Sequence, residues 1–218
     1  EGYPIYLFRT RYHSEGGIYL SAGVHGDEPA PVSAFIDWAE ENIAVLRRTN
    51  ACLLPLFNPA GLKANTRTDE FGLDLNRSFH DRQHPHFTGW HRIMEGRRFR
   101  LGLMLHEDYD AQGVYVYELS GRSGLTTESL LAAARCIIPA DSRRRIDGFP
   151  ALHGVIKRSR VPQNLPGMPE ALVVANFANG NTQTLAMDRH DPAGQIGAGT
   201  TESNSLGDYF PIGIEHIL

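Results

Sequence analysis

The sequence predicts an α/β fold in which a twisted, mixed but mostly parallel sheet carries helices on both faces. Short runs of β-forming residues recur along the chain, and an amphipathic helix separates the second run from the third. Several runs are apolar on consecutive residues, as in strands that are buried on both faces. Strand–helix–strand order is typical of such sheets. With 218 residues we expect one domain, residues 1–218, with a substantial core.

Six runs are predicted as strands and two segments as helices. The strands are residues 5–8, 18–22, 51–57, 101–105, 113–119 and 171–175, and the helices are residues 29–48 and 127–138. Pro29 suits a first helical turn, and Phe35, Trp38 and Ile43 recur at helical spacing. Residues 141–170 are rich in Arg, Pro and Gly, which predicts long surface loops.

Composition excludes several classes of partner. The formal net charge is −4 and no basic stripe stands out, so we expect no nucleic-acid partner. No apolar run approaches the roughly 20 residues that span a bilayer, so we expect no membrane partner. Cys52 and Cys136 lie in apolar stretches and are predicted as two buried thiols. The oligomeric state stays open, and so does the compartment, although the cytoplasm is favoured.

A candidate zinc site begins where residues 21–28 read Ser-Ala-Gly-Val-His-Gly-Asp-Glu. His25 and Glu28 are three residues apart, directly after an apolar run and within a glycine-containing turn. A catalytic zinc usually takes three protein ligands and leaves one position for water. His106, at the end of the run 101–105, offers the third ligand. A lone His-x-x-Glu is common by chance, so the intervening segment decides.

That intervening segment carries three further motifs. It reads Asn-Pro-Ala-Gly at 58–61, Asn-Thr-Arg at 65–67 and Asp-Leu-Asn-Arg at 74–77. The complete order resembles the M14 family of zinc carboxypeptidases, especially its short bacterial members, over residues 18–119, with a weaker echo at 200–203. It also resembles the related succinylglutamate desuccinylase and aspartoacylase group. The resemblance implies a zinc carboxypeptidase-like domain that holds one Zn²⁺ and hydrolyses an amide bond.

The resemblance also implies roles for the matching residues around the metal. His25, Glu28 and His106 would bind the zinc. Asp74 would orient the first histidine, because a ligating imidazole usually donates its other ring N–H to a carboxylate. The alternative for Asp74 is an ordinary turn residue.

Three polar residues match family positions that contact substrate. Asn76 and Arg77 would bind its terminal carboxylate, for which a planar guanidinium is well suited. Arg67, nine residues before Asn76, would stabilise the oxyanion as charge develops. For either arginine the alternative is a surface salt bridge.

The general base must be a carboxylate close to the activated water. The family places it late in the chain at a strand end, which favours Glu202. Glu118, twelve residues after His106, is the rival, although the tyrosines that alternate with it suggest that it points to solvent or lines the pocket.

Two features depart from the pattern or extend it. Residues 179–187 contain no tyrosine, so the tyrosine that closes over substrate in typical members is different or absent. The histidine-rich piece is interpreted as a solvated loop that leads into a helix rather than as a second metal site; its members are His80, His84, His86 and His91.

The predicted substrate is a short peptide or acylated amino acid with a free carboxyl end. An N-acyl amino acid deacylase is the second hypothesis, because the desuccinylase and aspartoacylase relatives share His-x-x-Glu, Asp-Leu-Asn-Arg and the late histidine. A non-catalytic, zinc-stabilised binding module is the third.

Overall fold

A computed structural model describes residues 3–10, 16–119, 125–158, 167–175 and 182–188. Glu202, the favoured general base, and the motif echo at 200–203 lie outside the described residues.

The described strands are short apart from β4. In chain order they are β1 (Phe8–Arg9), β2 (Gly17–Ser21), β3 (Ala51–Leu54), β4 (Phe99–Asp108), β5 (Tyr115–Leu119), β6 (Arg145–Ile146), β7 (Phe149–Pro150), β8 (Val155–Lys157) and β9 (Thr182–Asp188). Seven of them form one sheet in the order β1-β3-β2-β4-β9-β5-β8, while β6 and β7 pair with each other.

Strand direction decides where the site can lie. The four strands β3, β2, β4 and β9 run parallel to one another. The strands on either side are antiparallel to them: β1 to β3, and β5 to β9. The carboxyl ends of the four parallel strands therefore meet at one edge of the sheet. In open α/β sheets ligands bind outside this edge.

Helices cover both faces of the sheet. They are α1 (Pro29–Glu41), α2 (Ile43–Leu46), α3 (Pro59–Ala64), α4 (Pro85–Met94), α5 (Leu125–Ala134) and α6 (Glu170–Val174). One core cluster joins α1 and α5 to Leu20 and Leu53, and the other joins α4 and α6 to Tyr19 and Cys52. Neighbouring residues of a strand point to opposite faces, so the two clusters lie on opposite sides of the sheet. The predicted fold class is confirmed.

Several predicted elements need correction. Residues 171–175 are not a strand, because Glu170–Val174 is helix α6. A short apolar run cannot by itself distinguish a strand from a buried helix. The helix predicted over residues 29–48 is divided at Asn42 into α1 and α2, and α5 ends at Ala134 rather than at residue 138.

The two cysteines differ. Cys52 is a buried free thiol, as predicted, but Cys136 is free and exposed, so the prediction of two buried thiols is half wrong. Cys136 follows the end of α5, and the turns that continue the chain leave it at the surface.

Among the described helices, none combines the length and the apolar character that crossing a membrane requires.

Candidate metal centre and substrate cleft

The loop between β2 and α1 presents His25 and Glu28 at the carboxyl edge of the sheet. The Asn-Pro-x-Gly motif lies beside this loop, where Asn58 caps α3 by accepting a hydrogen bond from the Gly61 amide at 2.9 Å. The backbone of Asn58 also donates to the carbonyl of Gly23 at 2.8 Å. The motif therefore holds the ligand loop in place rather than contacting substrate.

The three predicted metal ligands converge. Nδ1 of His25 lies 2.5 Å from one carboxylate oxygen of Glu28, and Nδ1 of His106 lies 2.9 Å from the other. The two imidazole ring centres are 5.1 Å apart. The three residues are 3%, 4% and 7% exposed for His25, Glu28 and His106 respectively. We call these three residues the first cluster.

The chemistry of the first cluster fits a metal ion. Two imidazole nitrogens and one carboxylate are the donor set of many catalytic zinc sites. Nε2 of His25 lies 3.5 Å from Oδ1 of Asp74, on the far side of the ring from Glu28. A proton on Nε2 would face that carboxylate and leave Nδ1 free to ligate, the usual arrangement behind a metal-bound histidine.

The charges of the first cluster support one another. Burial alone would raise the pKa of Glu28, but His106 and then His25 lower it well below its ordinary value. Burial likewise opposes the charged form of His25, yet hydrogen bonds to Asp74 and Glu28 raise its pKa overall. Asp74 follows the pattern of Glu28: burial works against the carboxylate, and His25 and Arg67 lower its pKa.

Arg67 reaches the same edge from the loop after α3. Its Nε donates to Oδ2 of Asp74 at 3.0 Å, and its Nη1 lies 4.0 Å from Oε1 of Glu28. Its side chain is 44% exposed. Asp74 therefore anchors one side of the guanidinium and leaves the remaining donors beside the first cluster.

Asn76 and Arg77 lie on the 3₁₀ turn Leu75–Arg77, which Asp74 caps through the Asn76 amide at 3.0 Å. The Asn76 side-chain oxygen accepts a hydrogen bond from the Glu170 backbone at 2.9 Å, so its NH₂ group is directed away from that contact. Nη1 of Arg77 donates to the Asn76 carbonyl at 2.9 Å. Both side chains line the cleft that contains the first cluster.

This cleft has a volume of about 620 Å³. Its second wall was missed by the sequence analysis and includes Tyr115, Tyr117, Phe149 and Arg158. The two tyrosine hydroxyls donate to Asp108 and Asp147 at 3.0 and 2.6 Å, and the Arg158 guanidinium lies 3.8 Å from the centre of the Phe149 ring. The alternation of tyrosines along β5 was the available sequence signal.

Glu118 does not line the cleft. Side chains alternate along a strand, and Tyr115 and Tyr117 face the cleft, so Glu118 faces the other side of the sheet. It is 2% exposed, and it therefore points neither to the pocket nor to solvent, which are the two orientations expected for it.

Within the described chain, β9 also ends at the carboxyl edge. It runs parallel to β4, with Ala186 opposite His106 and Asp188 opposite Asp108.

A buried polar chain lies behind Asn76. The hydroxyl of Tyr19 donates to the Glu170 carboxylate, and Trp90 Nε1 donates to the Tyr19 hydroxyl at 3.0 Å. Burial raises the pKa of Glu170, an effect that the hydrogen bond from Tyr19 reduces without reversing. The protonated form of Glu170 is therefore favoured relative to an exposed glutamate.

Known proteins resemble this chain in sequence over part of its length and in fold. Residues 15–100 match the model of the succinylglutamate desuccinylase/aspartoacylase catalytic domain, a span that includes His25, Glu28, Arg67 and residues 74–77. No curated protein sequence matches the chain closely enough to count as a relative.

Three solved structures illustrate the likeness of fold. A candidate metallopeptidase from Shewanella denitrificans is 24% identical over 88% of this chain and 73% of its own, with a TM-score of 0.72. A metallo-carboxypeptidase from Burkholderia cenocepacia is 16% identical over 88% of this chain and 54% of its own, with a TM-score of 0.61. Murein-tripeptide amidase MpaA from Escherichia coli O157 is 16% identical over 89% and 83%, with a TM-score of 0.58.

These findings confirm the resemblance to the zinc carboxypeptidase family and to its desuccinylase and aspartoacylase relatives. The solved structures, all below 25% identity, show the fold. The segment that matches the family model carries two of the three candidate ligands, His25 and Glu28.

Proposed function

We propose that this protein is a zinc-dependent metallocarboxypeptidase that hydrolyses the amide bond next to a free carboxylate in a short peptide. The observation that carries the proposal is the convergence of His25, Glu28 and His106 in the same cleft as Arg67 and Arg77. Three protein ligands are the number typical of catalytic rather than structural zinc sites.

The first cluster would hold the zinc through the Nδ1 atoms of the two histidines and the carboxylate of Glu28. When bound, the ion supplies a Lewis acid and lowers the pKa of a water ligand from 15.7 toward about 7. Asp74 would keep the His25 ring in its ligating orientation by accepting the Nε2 proton.

The arginines and Asn76 would bind and polarise the substrate. Arg77 offers two parallel N–H donors to a terminal carboxylate, and the Asn76 NH₂ group adds a third donor. Arg67 lies close enough to Glu28 to place a positive charge beside the scissile carbonyl, where it would stabilise the developing oxyanion.

Glu202 is proposed as the general base that takes the proton from the attacking water and returns it to the leaving amine. Asp188 is the alternative, since it ends the strand beside β4. Three conservative variants separate the options: Glu202→Gln, Asp188→Asn and, as a matched control on the other face of the sheet, Glu118→Gln. The base is the residue whose variant keeps metal but loses nearly all hydrolysis.

A second candidate function is an N-acyl amino acid deacylase, which the family model over residues 15–100 favours. The zinc-loaded protein should be assayed against a panel of short peptides and a panel of N-acyl amino acids. Faster turnover of peptides, lost on chelation and regained with zinc, supports the carboxypeptidase. Faster turnover of N-acyl amino acids would replace it with the deacylase. If the protein binds zinc and keeps its fold but shows neither activity, the remaining hypothesis is the non-catalytic, zinc-stabilised binding module.

A further inference from the structure

A second group of metal-ligating side chains lies outside the cleft. Asp69 belongs to the loop between α3 and the 3₁₀ turn, and His84 and His86 lie at the start of α4. One possible ligand atom from each residue lies within 4.8 Å of the other two. We call these residues the second cluster.

Two ligand atoms of the second cluster are already spaced as they would be around a bound ion. Nε2 of His84 lies 3.3 Å from Oδ2 of Asp69. Zinc ligands about 2.0–2.2 Å from a tetrahedral ion are roughly 3.4 Å from one another. The ligand atom of His86 lies within 4.8 Å of both.

The two carboxylate oxygens of Asp69 differ in their hydrogen bonding. Its Oδ1 accepts the backbone N–H groups of Phe71 and Leu73 at 2.9 and 2.8 Å, which fixes the carboxylate in the loop. Its Oδ2 is buried and accepts no hydrogen bond within the described chain, and the side chain is 0% exposed. Buried polar atoms nearly always have a hydrogen-bond partner, and Nε2 of His84 approaches this oxygen without forming a hydrogen bond to it.

The ring nitrogens of the two histidines also differ in their hydrogen bonding. Nδ1 of His84 accepts the His86 backbone N–H as the cap of α4, which turns Nε2 toward Asp69. Nδ1 of His86 is buried and makes no hydrogen bond among the described residues.

We propose that Asp69, His84 and His86 form a second metal site, for a divalent transition-metal ion such as zinc. Two imidazoles and a carboxylate suit zinc and its transition-metal neighbours better than magnesium or calcium. The ion would fasten the loop 69–73 to the start of α4. Arg67 and Asp74 flank this loop, so the second site would also fix the segment that carries them. This proposal does not depend on which amide the protein hydrolyses.

The test counts ions in a protein whose first cluster has been removed. Full-length His106→Ala protein is stripped with a chelator, titrated with zinc by calorimetry and analysed for metal. We expect about one equivalent to bind, and we expect addition of His86→Gln to remove it. Addition of His80→Gln, the same change at an exposed histidine nearby, should leave it in place.

A local measurement tests the same site without relying on stoichiometry. Zinc should slow hydrogen exchange of the amides in residues 69–73 by about tenfold or more in the His106→Ala protein, because binding stabilises only the closed loop. The double variant with His86→Gln should show no such slowing. If it misfolds, Asp69→Asn replaces it. Equal zinc binding and equal protection with and without His86 would overturn the proposal, and so would no tight binding to His106→Ala.

Discussion

The backbone of Gly26 lies directly against the backbone of Gly61. A Cβ atom built on Gly26 would be 1.9 Å from the carbonyl carbon of Gly61 and 2.2 Å from the amide nitrogen of Leu62. No rotamer change can relieve a clash with backbone atoms. This contact explains why one glycine stands inside the His-x-x-Glu motif and another inside the Asn-Pro-x-Gly motif.

Gly26→Ala should therefore separate the ligand loop from α3. We expect a loss of unfolding free energy of about 1–3 kcal/mol, the range for an overpacked site, together with weaker metal binding. Denaturant unfolding and metal titration measure the two effects. Gly89→Ala is the control: a Cβ there meets nothing within 4 Å, and alanine in α4 should add about 0.5–1 kcal/mol. Equal effects in the two variants would contradict the close contact.

His106→Ala should remove most metal from the first cluster and keep the fold. The side chain lies at the end of β4, beyond the apolar core clusters, so the sheet does not depend on it. Metal analysis after dialysis and the far-UV circular dichroism spectrum provide the two readouts. Full metal retention in the first cluster would remove His106 from the ligand set.

Metal binding to the first cluster should release a proton at neutral pH. Burial opposes protonation of His25, but Asp74 and Glu28 raise its pKa overall, so at a given pH the metal-free protein holds more of this proton than a free imidazole would, and the ion must displace it. Affinity should consequently rise with pH until the pH exceeds this raised pKa. Calorimetry in two buffers of different ionisation enthalpy counts the protons, with His86→Gln present throughout to exclude the second cluster. Asp74→Asn should release fewer protons at the same pH, and an unchanged number would contradict the role of Asp74.

Arg77→Met should weaken the recognition of substrates with a free carboxylate. Two charge-assisted hydrogen bonds, each worth about 1.5–3 kcal/mol in favourable cases, are lost. We expect kcat/KM to fall at least about tenfold, since roughly 1.4 kcal/mol corresponds to that factor.

Two comparisons make the Arg77 result specific. A substrate with an amidated carboxylate should be poor with the parent protein and change little in the variant. Arg92→Met, at an exposed position of α4, should leave both substrates unaffected. An equal loss on free and amidated substrates would mean that Arg77 supports the fold instead.

Glu170→Gln should become more stabilising, relative to the parent, as the pH rises. Burial raises the pKa of Glu170 above 4.5, so between the unfolded and folded values the native state holds a proton that the unfolded state has lost. Stability that this group contributes at low pH is lost as the pH rises through that window. The Glu170→Gln variant does not lose this stability. Its free energy of unfolding should therefore rise relative to that of the parent by at most about 1.4 kcal/mol per pH unit. Denaturant midpoints from pH 4 upward measure this difference, and a difference that does not change with pH would contradict the buried, protonated Glu170.

The first cluster could be predicted because its signals are local and its positions are set by strand ends. His25 and Glu28 share one turn, and His106 follows a long apolar run whose carboxyl end must lie beside theirs in a parallel sheet. Residues 171–175 were mistaken for a strand because five apolar residues carry no detectable period.

A second metal site at the histidine-rich piece was set aside in favour of a solvated loop, because the part that Asp69 plays depends on a fold of its loop that no sequence pattern encodes. Asp69 is directed toward His84 only by two backbone hydrogen bonds within its own turn. If His84 and His86 lay in a solvated loop, no single carboxylate would lie close to both of them. For Glu118 the alternation of side chains along the strand could be predicted from the sequence, but the face of the sheet to which Glu118 points could not.

The pairing of β2 with β4 has a kinetic consequence. About eighty residues separate His25 from His106, and these ligands meet only after the two strands align. Closing so long a loop is slow compared with forming local structure. An early intermediate that contains β2 and α1 alone would offer an ion only His25 and Glu28, and would hold it weakly. Tight metal capture should therefore report the completion of the central sheet, and added metal should slow unfolding rather than accelerate folding.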